Sequence, residues 1–112
     1  MEKILITGVA GLLGSRLADW IIENTNYEVI GVDDLSGGYA ENINKKVNFY
    51  NFNLTNLKKL KEVFKKENIE IVYHFAAYAA EGLSPFIRKF NYENNVIAST
   101  NLITCSIEFN IK

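Results

Sequence analysis

The feature that most constrains this 112-residue chain is a short apolar run that leads directly into a turn with three glycines. Residues 4–6 are apolar in succession, as in a strand buried on both faces of a parallel sheet. Gly8, Gly11 and Gly14 follow, and a helical pattern begins at once. Glycines there allow a tight turn, close approach of the backbone to a phosphate pair, and close packing of the helix on the strand. The sequence therefore predicts a dinucleotide phosphate site at this turn.

The start of the following helix completes this predicted site. Its unpaired N–H groups and the positive end of its dipole would face a bound anion. The alternative is an ordinary strand–helix turn, because glycines cluster at many such turns. The candidate cofactor-binding residues here are Gly8, Ala10, Gly11, Leu12, Leu13 and Gly14.

The apolar positions of this helix recur at helical spacing. They include Leu13, Leu17, Trp20 and Ile21, with polar residues on the other side. We therefore expect Trp20 to pack between the helix and the sheet.

An acidic pair follows the second predicted strand, residues 27–32. Asp33 lies 19 positions after Gly14, close to the separation at which dinucleotide-binding units place an acid on the adenosine ribose. A carboxylate there accepts hydrogen bonds from both ribose hydroxyls and repels a 2′-phosphate, which favours NAD over NADP. In the alternative interpretation, Asp33 or Asp34 only begins a turn. The candidate residues of this segment are Asp33, Asp34, Ser36 and Gly37.

The remaining pattern predicts an α/β fold. Further strands are expected at 47–52 and 69–75, and helices at 57–66 and about 91–110. Thr55 or Asn56 is expected to cap the helix that begins at residue 57. The element order predicts a partial, Rossmann-like, doubly wound parallel sheet in a three-layer α/β/α arrangement, with strand order 3-2-1-4. The chain, residues 1–112, is interpreted as one domain.

Composition excludes several classes of partner. The formal net charge is −1 and basic residues form only short pairs, which argues against nucleic acid and anionic membranes. The chain has one cysteine and no apolar run of membrane-spanning or signal-peptide length, so we expect a cytoplasmic location. One histidine and one cysteine cannot form a metal site of the usual type. His74 is interpreted as a packing residue with satisfied hydrogen bonds.

Several segments, in order, resemble one family. Residues 7–14 resemble the T-G-x-x-G-x-x-G turn of the extended short-chain dehydrogenase/reductases, and most closely the NAD-dependent nucleotide-sugar epimerases and dehydratases of the UDP-glucose 4-epimerase type. Residues 32–36 are similar to the ribose-binding strand end of that family, and residues 74–77 to its H-x-A-[AG] segment. Residues 92–102 resemble its N-V-x-G-T-x-N-L helix, with Ala98 in place of Gly and Ser99 in place of Thr.

The resemblance implies further contacts with NAD. Asn53 stands where the family usually carries an Asp beside the adenine, so a carbonyl acceptor is kept and the charge is lost. For Asn95 the favoured interpretation is a hydrogen bond to the main chain of a neighbouring strand, although it is also a candidate cofactor contact. The candidate residues added by the resemblance are Asn53, Leu54, Phe75, Ala76, Ala77, Tyr78 and Asn95.

The family's catalytic Tyr-x-x-x-Lys pair does not occur in this chain, because none of its six tyrosines is followed by lysine four residues later. The chain is therefore expected to be the NAD-binding portion of an enzyme that transfers hydride on a nucleotide sugar, and to be inactive alone. A nucleotide sugar would bind only to the complete enzyme. The alternatives are a non-catalytic dinucleotide sensor or interaction module, and an NADPH-linked reductase of the same superfamily. The resemblance also suggests a homodimer through helix 91–110 or the edge of the fourth strand.

Overall fold

The computed structural model describes residues 2–76 and 92–111. Each predicted strand and helix occurs, with bounds that shift by a few residues. The helix predicted at about 91–110 differs most, because its described part opens as a π-helical turn. The elements are β1 (Lys3–Thr7), α1 (Leu12–Asn24), β2 (Glu28–Asp33), a 3₁₀ turn (Ala40–Asn42), β3 (Asn48–Asn51), α2 (Leu57–Glu67), β4 (Ile71–His74), a π-helical turn (Tyr92–Ile97) and α3 (Ala98–Glu108).

The four strands form one parallel sheet in the order β3-β2-β1-β4, which confirms the prediction. Alternate side chains of β1 serve two cores. Leu5 packs on one face with Leu60 of α2 and Leu102 of α3, whereas Ile4 and Ile6 pack on the other face in the core to which α1 contributes. The fold is therefore a three-layer, Rossmann-like α/β sandwich whose strands are covered on both faces.

The turn after β1 depends on two glycines. Gly8 has φ +71°, and a Cβ there would lie 2.8 Å from the backbone nitrogen of Ala76. A Cβ on Gly14 would lie 2.9 Å from the carbonyl carbon of Gly8 and closer still to its oxygen. The left-handed backbone at Gly8 and the missing side chain at Gly14 therefore let α1 begin directly against the end of β1.

The position of Gly14 also sets which face of α1 meets the sheet. The buried residues of α1 are Gly14, Ser15, Ala18 and Ile21. Trp20 is 59% exposed and Leu13 is 66% exposed, so the prediction that Trp20 packs between helix and sheet is wrong. The small residues face the sheet because the close contact at Gly14 turns that side of the helix inward.

The ends of α2 follow local rules. The Asn56 side chain accepts a hydrogen bond from the Lys59 N–H at 3.1 Å, which confirms one of the two predicted caps. Asn68 ends the helix in the left-handed conformation, with φ 52°.

A polar cluster joins α2 to the sheet through Glu67, which is only 5% exposed. Its carboxylate accepts hydrogen bonds from Lys3 Nζ at 3.2 Å, from Asn48 Nδ2 at 2.8 Å and from the Tyr50 hydroxyl. Burial alone would raise the pKa of Glu67, but the hydrogen bonds from Tyr50 and Lys3 outweigh it and lower the pKa below 4.5. The ionised carboxylate is therefore the form that the fold stabilises.

Among the described residues, no helix is both long and apolar enough to span a bilayer.

Replacing Gly8 by alanine should strongly destabilise the fold. The new side chain would occupy a strained φ and meet the backbone of Ala76 at 2.8 Å, so we expect the free energy of unfolding to fall by about 2–4 kcal/mol. Urea denaturation followed by circular dichroism measures this. Gly37→Ala is the matched control, because a Cβ at Gly37 meets no atom within 4 Å and should change stability by no more than about 0.5 kcal/mol. Equal effects of the two substitutions would show that the left-handed backbone and close contact at Gly8 do not limit stability.

Replacing Glu67 by glutamine should remove part of the acid sensitivity of the fold. Because the folded-state pKa of Glu67 is lowered, its stabilisation is present above the unfolded value near 4.5 and is lost as pH falls through the folded-state pKa. We expect Glu67→Gln to lower the free energy of unfolding at pH 7 by about 1–3 kcal/mol and to flatten its decline below about pH 4.5. Urea titrations at several pH values measure both.

The control for this experiment is Glu28→Gln. Glu28 lies 3.6 Å from the same Lys3 ammonium group, but its side chain is 51% exposed. Its replacement should change the free energy of unfolding by no more than about 0.5 kcal/mol and should leave the decline of that free energy at low pH unchanged. If the free energy of unfolding of the Glu67→Gln protein declined below about pH 4.5 as steeply as that of the unsubstituted chain, Glu67 would not be the cause of the acid sensitivity.

Candidate functional site

The candidate site is a cleft of about 120 Å³ at the carboxyl ends of the parallel strands. Two connections border it: the turn after β1 and the segment after β4. In the sheet, β4 is the neighbour of β1 on the side opposite β2. Ligands of open α/β sheets bind at this kind of switch point. The lining residues are Gly8, Gly11, Val32, Asp33, Asp34, Ser36, Gly37, Phe52, Asn53, Leu54, Phe75, Ala76 and Ala98.

Most of the candidate residues from the described part of the chain come together in this lining. The additions are Val32, Phe52 and Ala98, which contribute apolar surface rather than polar contacts. Ala98 stands at the position where the family carries glycine, so the resemblance held a signal for it. Val32 begins the segment that resembles the family's ribose-binding strand end, so the resemblance also held a signal for it. Phe52 belongs to an apolar pattern that predicts only strand.

Asp33 connects the end of β2 to the glycine turn. Its Oδ2 accepts a hydrogen bond from the Ala10 N–H at 2.9 Å, and its Oδ1 accepts one from the Leu35 N–H at 2.8 Å. Each carboxylate oxygen can accept further bonds. The carboxylate is thus fixed in direction at the border of the cleft and still able to receive ligand hydroxyl groups.

The first turn of α1 has N–H groups beside this carboxylate that bond to no group among residues 2–76 and 92–111. Within α1, Ser15 is the first residue whose N–H donates to a carbonyl earlier in the chain, that of Gly11, at 3.0 Å. Gly11 occupies the N-cap position and has no side chain with which to cap the N–H groups that precede Ser15. The N–H groups of Leu12, Leu13 and Gly14 at the helix start therefore suit an anion.

Asp34 and Asn53 form a second polar contact across the cleft. Asp34 Oδ2 accepts a hydrogen bond from Asn53 Nδ2 at 2.8 Å, and Asp34 Oδ1 accepts two from Ser36. Asn53 Oδ1 accepts the Thr55 N–H at 2.9 Å. The Asn53 amide is therefore held in one orientation, with the negative charge of the pair on Asp34.

Asn101 fastens α3 to the same side of the cleft. Its Nδ2 donates to the carbonyl oxygen of Leu54 at 2.9 Å, so this polar residue of an otherwise apolar helix fixes a residue of the cleft wall. In the sequence, Asn101 matches the second N of the N-V-x-G-T-x-N-L segment, a match that does not identify its partner. Its partner lies 47 residues away along the chain, a separation that no periodicity reports.

His74 joins β1, β4 and α3 at the far end of the cleft. Its Nδ1 lies 2.6 Å from Thr7 Oγ1, and its Nε2 lies 2.8 Å from Ser99 Oγ. Thr7 Oγ1 also accepts the Ala76 N–H at 3.2 Å. Burial lowers the pKa of the His74 imidazole, which favours the neutral ring. These contacts give both ring nitrogens of His74 a partner, as expected, although the residue is partly exposed rather than fully packed.

The other candidate residues lie outside the lining or outside the described residues. The lining does not include Leu12, Leu13 or Gly14 of α1. Ala10 is fully buried, and its N–H donates to the Asp33 carboxylate. Asn95 lies partly buried in the π-helical turn, and its predicted role stays a prediction. Ala77 and Tyr78 fall outside the described residues. Within residues 2–76 and 92–111, no group of three or more His, Cys, Asp or Glu residues is arranged to hold a metal ion.

Comparison with known proteins places this cleft in a family. The model of the NAD dependent epimerase/dehydratase family matches residues 4–112. The UDP-glucose 4-epimerase of Schizosaccharomyces pombe is 34% identical over 97% of this chain, which corresponds to 32% of that protein. The UDP-glucose 4-epimerase of Thermotoga maritima, solved with UDP-glucose, superimposes with a TM-score of 0.94 at 36% identity, over 98% of this chain and 35% of that one.

A third protein carries the cofactor. The UDP-glucose 4-epimerase of Thermus thermophilus, solved as a complex with NAD, superimposes with a TM-score of 0.93 at 26% identity, over 98% of this chain and 35% of that one. The chain thus spans about a third of the length of the curated relatives it matches. Because the family model covers nearly all of its residues, the chain belongs to the NAD dependent epimerase/dehydratase family.

Proposed function

We propose that this chain binds NAD, as the cofactor-binding portion of a nucleotide-sugar epimerase or dehydratase, with residues 1–112 forming one domain. The observation that carries the proposal is the Asp33 carboxylate, which is fixed against the glycine turn beside the unused N–H groups of α1. An acid and a helix N-terminus in one cleft match the ribose hydroxyls and the pyrophosphate of one dinucleotide. The NAD in the Thermus thermophilus relative supports this choice of ligand.

Each part of the cofactor has a proposed contact in the cleft or at the start of α1 beside it. Asp33 receives the adenosine ribose hydroxyls, and the N–H groups of Leu12 and Leu13 receive the pyrophosphate. Asn53 and Leu54 border the adenine. The nicotinamide half lies toward the segment after β4, where the proposed contacts are Phe75, Ala76, Ala77 and Tyr78.

Bound NAD would supply hydride acceptance, and this chain would hold and orient it. Proton removal from a sugar hydroxyl is the other half of the family's chemistry, and the Tyr-x-x-x-Lys pair that performs it does not occur in this sequence. A non-catalytic dinucleotide-binding module would use the same cleft without chemistry. The proposal disfavours an NADPH-linked reductase, because the carboxylates of Asp33 and Asp34 both line the part of the cleft where a 2′-phosphate would have to lie.

The proposal includes self-association. Apolar side chains are exposed on α3, where Ile103 is 59% and Ile107 is 73% exposed, and Val96 and Ile97 of the π-helical turn are also exposed. Among the described strands, β4 pairs only with β1, so its other edge is open to a further strand. We propose that a second copy covers one of these two surfaces.

Calorimetry with NAD and NADP tests the cofactor. We expect NAD to bind more tightly than NADP. Asp33→Asn should weaken NAD binding about tenfold, because it removes a charged acceptor for the ribose hydroxyls. It should also reduce the difference between the affinities for NAD and NADP, because it removes the charge that repels a 2′-phosphate. Glu62→Gln, which removes one negative charge from the exposed surface of α2, is the control and should leave both affinities unchanged. Tighter binding of NADP, or no effect of Asp33→Asn, would contradict the proposed contact.

An activity assay tests the division of labour. The purified chain, supplied with NAD and either UDP-glucose or UDP-galactose, should show no interconversion of the two sugars, because it lacks the proton-transfer pair. The products are resolved by chromatography or coupled enzymatically. Appreciable turnover would show that the chain is catalytic by itself.

Light scattering tests the second copy. At high protein concentration we expect a mass twice that of the chain, and Ile107→Lys should restore the monomer if the α3 surface is the interface. A dimer that persists in Ile107→Lys assigns the contact to the edge of β4. A clean monomer for the unsubstituted chain would rule out both.

A further inference from the structure

The connection between β2 and β3 makes a contact with the glycine turn that the sequence does not reveal. The side chain of Asn42, in the 3₁₀ turn Ala40–Asn42, donates from Nδ2 to the carbonyl oxygen of Ala10 at 3.1 Å. The backbone of the 3₁₀ turn is itself fixed, since the Asn42 N–H donates to the Tyr39 carbonyl at 3.0 Å. The amide of Asn42 is thereby held over one peptide group of the turn.

A second observation shows that the β2–β3 connection lies against the Ala10 carbonyl. A Cβ built on Gly38 would lie 2.5 Å from the Ala10 oxygen and 2.6 Å from its carbon. The main chain at Gly38 therefore rests directly on the peptide that Asn42 binds. The connection is anchored again by Asn44, whose Nδ2 donates to Asp19 Oδ1 of α1 at 3.0 Å.

The peptide group between Ala10 and Gly11 is held from opposite sides. Its carbonyl accepts from Asn42, and its N–H donates to the Gly8 carbonyl at 3.1 Å. The preceding N–H, that of Ala10, donates to Asp33. The next donor along the chain is the N–H of Leu12, the first of those assigned to the pyrophosphate. The orientation of this peptide plane therefore determines where the phosphate donors begin.

We propose that Asn42 is a positioning residue for the phosphate-binding turn, an inference that rests on the proposed binding of NAD. Asn42 keeps the Ala10 carbonyl turned toward the β2–β3 connection. Without that donor the carbonyl can rotate toward the cleft, where its oxygen would face the negatively charged pyrophosphate. Asn42 thus acts on the pyrophosphate through the main chain, and adenosine recognition by Asp33 does not depend on it.

The test compares ligands with and without phosphates on the full 112-residue chain. Calorimetry should show that Asn42→Ala weakens the binding of NAD and of ADP about fivefold, as expected for one lost hydrogen bond, and leaves the affinity for adenosine unchanged. Asn44→Ala is the matched control, because it removes an anchor of the same connection that does not contact the turn. It should leave all three affinities unchanged.

Amide hydrogen exchange provides a readout without ligand. The Gly11 N–H should exchange faster in Asn42→Ala than in the unsubstituted chain, because its peptide plane is no longer held, and Asn44→Ala should not change it. Equal losses for NAD, ADP and adenosine, or unchanged Gly11 exchange, would overturn the role of Asn42 while leaving the proposed function intact. Failure of the unsubstituted chain to bind NAD and ADP would overturn both.

Discussion

The close approach of α1 to the end of β1 is the constraint on which the rest of the structure depends. No side chain fits at Gly14 while it lies against the Gly8 carbonyl, and Gly8 itself must be left-handed to make the turn. This contact brings the first turn of α1, with its unused N–H groups, to the carboxyl edge of the sheet. It also turns the small residues of α1 inward and leaves Trp20 in solvent. One packing contact therefore places these N–H groups at the sheet edge and fixes the rotation of the helix.

Polar groups at the two edges of the sheet are used in opposite ways. At the amino edge, the Glu67 carboxylate is bonded by a lysine, an amide and a hydroxyl, so its acceptors are taken up in joining α2 to the sheet. At the carboxyl edge, Asp33 holds the turn through one N–H on each oxygen and keeps acceptor capacity, and α1 keeps its first donors. Every buried side-chain nitrogen and oxygen in the described residues has a hydrogen-bond partner, so neither edge leaves such an atom unsatisfied.

The sequence predicts those features that depend on neighbours along the chain. The strand order, the cap at Asn56 and the position of Asp33 follow from periodicity, local hydrogen bonding and motif spacing. The prediction that Trp20 packs against the sheet is wrong because hydropathy gives the spacing of apolar residues in a helix but not the rotation of the helix about its axis. The contact at Gly14 sets that rotation. The contacts of Asn42 with Ala10, Asn101 with Leu54 and His74 with Ser99 span 32, 47 and 25 residues. Such contacts arise only once the chain has folded, so the sequence pattern carries no sign of them.

His74 links three elements of the fold beside the proposed cofactor site. It is the only histidine of the chain, and it stands beside Ala76 at the nicotinamide end of the proposed site. Both of its ring nitrogens are engaged, by Thr7 and Ser99, and burial holds its pKa below 6.5. The neutral ring thus connects β1, β4 and α3 through hydrogen bonds to both of its nitrogens. The described residues of the cleft thus present hydrogen-bond donors and acceptors, whereas the family's Tyr-x-x-x-Lys pair does not occur in this sequence.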